Sequence, residues 1–138
     1  MNIKRFITTA AATVAILTVA SPAFGWGQKG HDTTAAIAER HLTPAAKAAI
    51  DSLLEGKSIV YWANWLDNAS HTPQYAYTKT WHYKNIDDGI AFEDAPLLES
   101  GDIVRALPQQ IAVAMDPAAS VEDKQLALKI IVHLLGDI

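Results

Sequence analysis

Helix punctuation constrains this chain most. Thr43-Pro44 supplies a hydroxyl N-cap with proline at the first helical position, and Ser120-Val121-Glu122-Asp123 sets a hydroxyl three residues before an acid. Behind the first cap Ala45, Ala46, Ala49, Ile50, Leu53 and Leu54 recur at helical spacing as far as Gly56. Behind the second, a helix is expected to run to the last residue. Residues 32–40 carry a weaker helical signal through Ala35, Ile37 and Ala38. Residues 59–66, with Trp62 and Trp65 on one side, read as a further helix with a buried aromatic face. Residues 102–115 read as another, ended by Asp116-Pro117. Between them, 68–80 reads as loop, 80–86 as a short extended stretch, and Asp87-Asp88-Gly89 as a turn. The fold class is therefore mainly α, with no internal repeat.

The first 25 residues are expected to stand outside this fold. Lys4 and Arg5 precede an apolar run over 6–20, and Ser21-Pro22-Ala23-Phe24-Gly25 follows with small residues at its third and last positions, the pattern of a cleaved secretory signal. Thr8, Thr9, Thr13 and Thr18 dilute the run below the roughly 20 apolar residues of a membrane anchor. The product is thus expected to be secreted or periplasmic, to begin at Trp26 and to keep no membrane anchor.

With Cys 0, disulfide scaffolds, thiol chemistry and cysteine metal sites are excluded. The formal charge is −4 and grows more negative once Lys4 and Arg5 are removed. A nucleic-acid binder working by counterion release wants a basic face, which that balance does not favour. Any handling of phosphate must draw positive charge from elsewhere, and divalent cations held by histidine and carboxylate are the obvious source.

Several polar residues sit where a solvated surface would not put them. His133 and Asp137 are one turn apart on the last helix, on the face that carries Leu126 and Ile130, so both can meet one metal; a buried histidine neutralised by a carboxylate has the same spacing. His82 lies between Trp81 and Tyr83 in the extended stretch, where alternation turns it away from both; by itself it is as consistent with packing. Asp67 closes the 59–66 helix, where a carboxylate opposes the macrodipole and calls for a cation, or else simply starts the following turn. His31 follows the new N-terminus closely, with Gly27 and Gly30 available to fold the chain back. A free α-amine there, with an ordinary pKa of about 7.7, can donate a lone pair to a metal near neutral pH. His41 and His71 lack such partners and read as surface or packing residues.

Taken together, Trp26-Gly27-x-x-Gly30-His31, Trp65-Leu66-Asp67, Trp81-His82-Tyr83-Lys84-Asn85 and Val132-His133-Leu134-Leu135-Gly136-Asp137 resemble, in order and spacing, the zinc-dependent single-strand nucleases of the S-one/P-one class. The resemblance covers residues 26–138 and, with no cysteine, is closer to a bacterial member than to the cystine-containing fungal ones. It implies the multi-helix fold shared by phospholipase C and these nucleases. It implies that Asp67, His82, His133 and Asp137 hold one zinc, and that the Trp26 amine and carbonyl, His31 and Asp137 hold a second, with Asp67 and Asp137 central to catalysis. It places Tyr83 and Asn85 as base-stacking and base-edge contacts. A third zinc of the family takes ligands C-terminal to the Asp137 block. The arginine that some members carry just after this aspartate is absent from Asp67-Asn68-Ala69-Ser70.

The implied activity is hydrolysis of phosphodiesters in single-stranded RNA and DNA to 5′-phosphate products, with 3′-nucleotidase activity as a possible addition and no stable protein partner. Two rivals remain open: a zinc phospholipase C, which shares the fold and the N-terminal Trp ligand, and an inactive zinc-binding fragment. The last helix ends without a settled cap and its apolar face has no evident partner, so the chain is expected to be the N-terminal part of a longer protein.

Overall fold

The computed structural model describes residues 27–138, so the expected leader over 1–25 and Trp26 lie outside the described residues. Six helices carry the fold: α1 Gly27–His41, α2 Pro44–Leu53, α3 Ile59–Trp62, α4 Trp65–Ala69, α5 Ile103–Met115 and α6 Val121–Asp137. Two 3₁₀ turns, Ala76–Thr78 and Phe92–Asp94, punctuate the long connection from α4 to α5.

The caps act as expected. Thr43 accepts a hydrogen bond from the Ala46 amide at 3.2 Å, and Ser120 accepts one from the Asp123 amide at 3.0 Å. Asp102 caps α5 through the Arg105 amide at 3.1 Å, and its other oxygen pairs with Lys84 Nζ at 3.2 Å, the two side chains almost fully buried together. That pair fastens the segment carrying His82 to the start of α5.

Helix α6 runs through the middle of the molecule. On one side Ile130 and Leu134 join Leu66, Ile103 and Ala106, with Trp65, Trp81 and Leu126 packed around them. On the other, Leu128 and Val132 back a cluster of Ala35, Leu54, Ile59 and Ala63. A helix apolar on two sides is what a central position requires. The final helix therefore does have partners, α5 on one side and α1 and α3 on the other, contrary to expectation; Leu135 and Ile138 stay exposed.

Three further expectations are corrected. The single helix over 59–66 is two short ones, broken at Ala63-Asn64. The stretch over 80–86 forms no strand: Trp81 and His82 sit in a turn, and no strand occurs among the described residues. An extended segment becomes a strand only when a neighbour supplies a ladder, and here the one such tie is Ile103 N–H to the Tyr83 carbonyl at 3.3 Å. The N-terminal helical signal begins at Gly27, not at residue 32; Gly27 turns the chain with φ of 60°, whereas Gly30 is helical.

Candidate metal centre

Four separate elements converge on one point. His31 comes from the second turn of α1, Asp67 from α4, His82 from the turn before α5, and His133 and Asp137 from the last two turns of α6. His31 and His133 are 2% and 0% exposed; both His133 nitrogens have partners, whereas His31 Nδ1 is buried with none.

His133 is aimed by the backbone. Its Nδ1–H donates to the Ala63 carbonyl at 2.7 Å, so Nε2 faces the carboxylates. The break between α3 and α4 gives that carbonyl its orientation. An imidazole fixed at one nitrogen by a carbonyl and open at the other has the arrangement by which proteins orient metal-binding histidines.

Around His133 Nε2 the donors form a compact set. His82 Nδ1 is 2.9 Å away, Asp137 Oδ2 3.3 Å and Asp67 Oδ1 3.5 Å. His82 Nδ1 in turn lies 3.1 Å from the same Asp137 oxygen and 3.7 Å from the same Asp67 oxygen. Four ligands at about 2.1 Å around a tetrahedral zinc stand about 3.4 Å from one another. The five separations, from 2.9 to 3.7 Å, fit that edge length.

The other half of the cluster is built on His31. Its Nε2 lies 3.5 Å from Asp137 Oδ1 and 3.8 Å from Asp67 Oδ2, and its ring stacks on His133 with centroids 4.1 Å apart. Asp137 thus offers one oxygen to each half. Two overlapping groups of possible metal donors result: Asp67, His82 and His133, and His31, His133 and Asp137.

The electrostatics match. Burial lowers the His31 pKa, helped by the neighbouring His133, so this imidazole favours the neutral form a metal needs. Burial pulls His133 the same way, but hydrogen bonds to Asp137 and Asp67 outweigh it and raise its pKa to about 9. Burial would raise Asp137, yet hydrogen bonds from His133 and His82 hold it at about 2. A hydrogen bond from His133 likewise keeps Asp67 below the usual carboxylate range. Without metal, a proton on His133 does the work of neutralising two adjacent carboxylates; a dication suits that place better.

Asp67 departs from expectation in its setting. It lies in the first turn of α4, where a carboxylate is favoured by the helix dipole, so the inferred misfit at a helix C-terminus is absent. Tyr83 lines an open cavity of about 470 Å³ together with His82, Lys84, Phe92 and Asp137, while Asn85 is exposed and does not line it. His41 and His71 are exposed, as expected, and take no part.

Two contributors were not foreseen from sequence. Ala63 acts through its carbonyl alone, for which no side-chain signal exists. Gly136 is legible in principle as an isolated glycine inside a helical pattern: a Cβ there would stand 2.6 Å from His31 Nδ1, so its absence lets α1 reach the end of α6.

The chain is 27% identical to Nuclease S1 of Aspergillus oryzae, over 97% of its own length and 48% of that relative's. It is 26% identical to Nuclease P1 of Penicillium citrinum and to Nuclease PA3 of a Penicillium species, over 81% of this chain and 44% of theirs. The chain thus spans about half the length of the curated relatives it matches. Residues 26–138, which include every donor of the cluster, match the family described as S1/P1 Nuclease, and the chain belongs to that family.

Proposed function

We propose that the protein is an exported, zinc-dependent endonuclease of single-stranded RNA and DNA that leaves 5′-phosphate ends, with 3′-nucleotidase activity on nucleotides. The observation that carries this is the split of Asp137: one carboxylate oxygen faces His82 and His133, the other faces His31. In this reading Asp67, His82, His133 and Asp137 hold one zinc, and His31, Asp137 and the amine and carbonyl of Trp26 hold a second.

Zinc held by these residues would lower the pKa of a water, making hydroxide available for in-line attack on a phosphodiester, and would offset the charge of the phosphate. The chain's own residues prepare the place. Asp137 and Asp67 collect negative charge where dications are to sit, and His133, pinned to the Ala63 carbonyl, presents a nitrogen of fixed direction. Stacking of His31 on His133 limits the movement of both rings. Tyr83, 44% exposed beside His82, offers a ring to an unpaired base, and exposed Asn85 offers an amide to a base edge. A paired base has no free face for such a ring, and single strands are favoured for that reason.

Family membership favours phosphodiesters of nucleic acid over phosphatidylcholine, and a nuclease over an inactive zinc-binding fragment. The test compares the zinc-loaded protein on a single-stranded oligonucleotide, the matching duplex and phosphatidylcholine. Cleavage of the single strand well ahead of the other two, with 5′-phosphate ends, is expected; preference for the lipid, or inertness on all three, defeats the reading. Adding one residue before Trp26 is expected to abolish turnover by occupying the α-amine, and unchanged turnover would remove Trp26 from the ligand set.

A further inference from the structure

Helix α4 carries more than Asp67. Its Trp65 and Asn68, with Thr72, Gln74 and Tyr75 beyond it, bound an open cavity of about 540 Å³ that shares no lining residue with the cavity beside His82 and Asp137. Trp65 and Tyr75 meet edge to face, centroids 5.0 Å apart and planes at 75°, so two aromatic walls form a corner. Trp65 is packed against the Leu66–Ile130–Leu134 cluster, which makes it a platform already ordered before any ligand arrives.

We propose that this corner is a binding site for one nucleobase of the same single strand that crosses the metal centre, distinct from the position of Tyr83 and Asn85. The inference rests on the nuclease reading above. Its chemistry is that of a neutral heteroaromatic ring. The walls are aromatic, no lining residue is charged, and the amides of Asn68 and Gln74 each offer donor and acceptor atoms to a base edge. Both amides are exposed and free of side-chain hydrogen bonds to other described residues. The Thr72 hydroxyl donates to the Ala69 carbonyl at 2.7 Å and keeps its lone pairs for an acceptor role. Its place is equally restrictive: Asn68 follows Asp67 directly on α4, so a base in the corner belongs to a nucleotide close to the one under attack.

Tyr75→Ala tests this, since Tyr75 is half-buried and lies outside both core clusters. The zinc-loaded protein is assayed on an eight-residue oligothymidylate and on a one-base substrate, the 4-nitrophenyl phosphodiester of thymidine. Loss of one base–aromatic stack is expected to lower kcat/KM on the oligonucleotide about 5- to 150-fold, mainly through KM, and to leave the one-base ester unchanged. Tyr75→Phe, which keeps the ring, is expected to behave as the parent. Equal losses on both substrates, a loss confined to the one-base ester, or no loss at all overturn the corner as a base site. A parent protein inert on both substrates instead defeats the nuclease reading itself.

Discussion

Gly136→Ala is the most informative single substitution. The added methyl would lie 2.6 Å from His31 Nδ1, 3.3 Å from His31 Cε1 and 3.2 Å from the Thr34 hydroxyl. His31 has no room to retreat, being 2% exposed and stacked on the His133 ring. Replacing glycine by alanine inside a helix contributes up to about 1 kcal/mol, but this glycine sits in the last turn of α6, where little of that gain is realised. Overpacking of a filled interior costs about 1–3 kcal/mol. The balance is a destabilisation of about 1–2 kcal/mol, which lowers the melting temperature of a chain this size by several degrees.

The same displacement moves His31 Nε2 away from Asp137 Oδ1, now 3.5 Å apart. The second metal should be lost while the set around His133 survives. Calorimetric melting in chelator reads the first effect, and elemental analysis of dialysed, zinc-reconstituted protein reads the second, as about one zinc per chain in place of two. A variant that melts as the parent does and retains both ions would refute the packing argument.

Other outcomes follow from the same geometry. Asp137→Asn should reduce zinc content and turnover more than His31→Ala, because Asp137 faces both halves of the cluster and His31 only one; equal, mild losses would argue against a shared carboxylate. In chelator, the pH profile of stability has a defined sign. His133 binds its proton more tightly folded than unfolded, so its contribution is complete below about 6.5 and is lost as pH rises through about 9. Asp137 contributes above its ordinary 3.8 and loses that contribution as pH falls through about 2. His31, whose pKa burial lowers, binds its proton less tightly folded and costs stability as pH falls below about 6.5. The metal-free melting temperature should therefore be highest near pH 6.5 and decline toward pH 9; a profile rising across that upper range would contradict it. Zinc uptake at pH 7 should release protons, since the His133 nitrogen must be freed, and titration calorimetry in buffers of different ionisation enthalpy measures the number.

How much of this was legible in sequence depends on whether the cause was local. The caps at Thr43 and Ser120 and the break at Asp116-Pro117 depend on neighbours a few residues away, and they appear where the sequence places them. The turn between His133 and Asp137 follows from helical spacing alone. The break at Ala63-Asn64 does not: Asn64 interrupts the apolar run, but no glycine or proline stands there, and the Ala63 carbonyl is engaged by His133 seventy residues away. Trp81-His82-Tyr83 has strand-like composition, but the fold offers no neighbouring strand among the described residues. Trp81 is fixed instead by its indole N–H to the Ser100 carbonyl at 2.9 Å. The convergence of five side chains is likewise a long-range outcome: spacing marks candidates, whereas packing of α6 against α1, α3 and α5 brings them together.

Metal bound at this convergence is the central claim. Anomalous scattering at the zinc absorption edge from crystals of the zinc-loaded protein measures that directly. Two peaks sharing Asp137 are predicted, one enclosed by Asp67, His82 and His133 and one against His31. A well-ordered crystal with those five side chains in place and no anomalous density among them would contradict it.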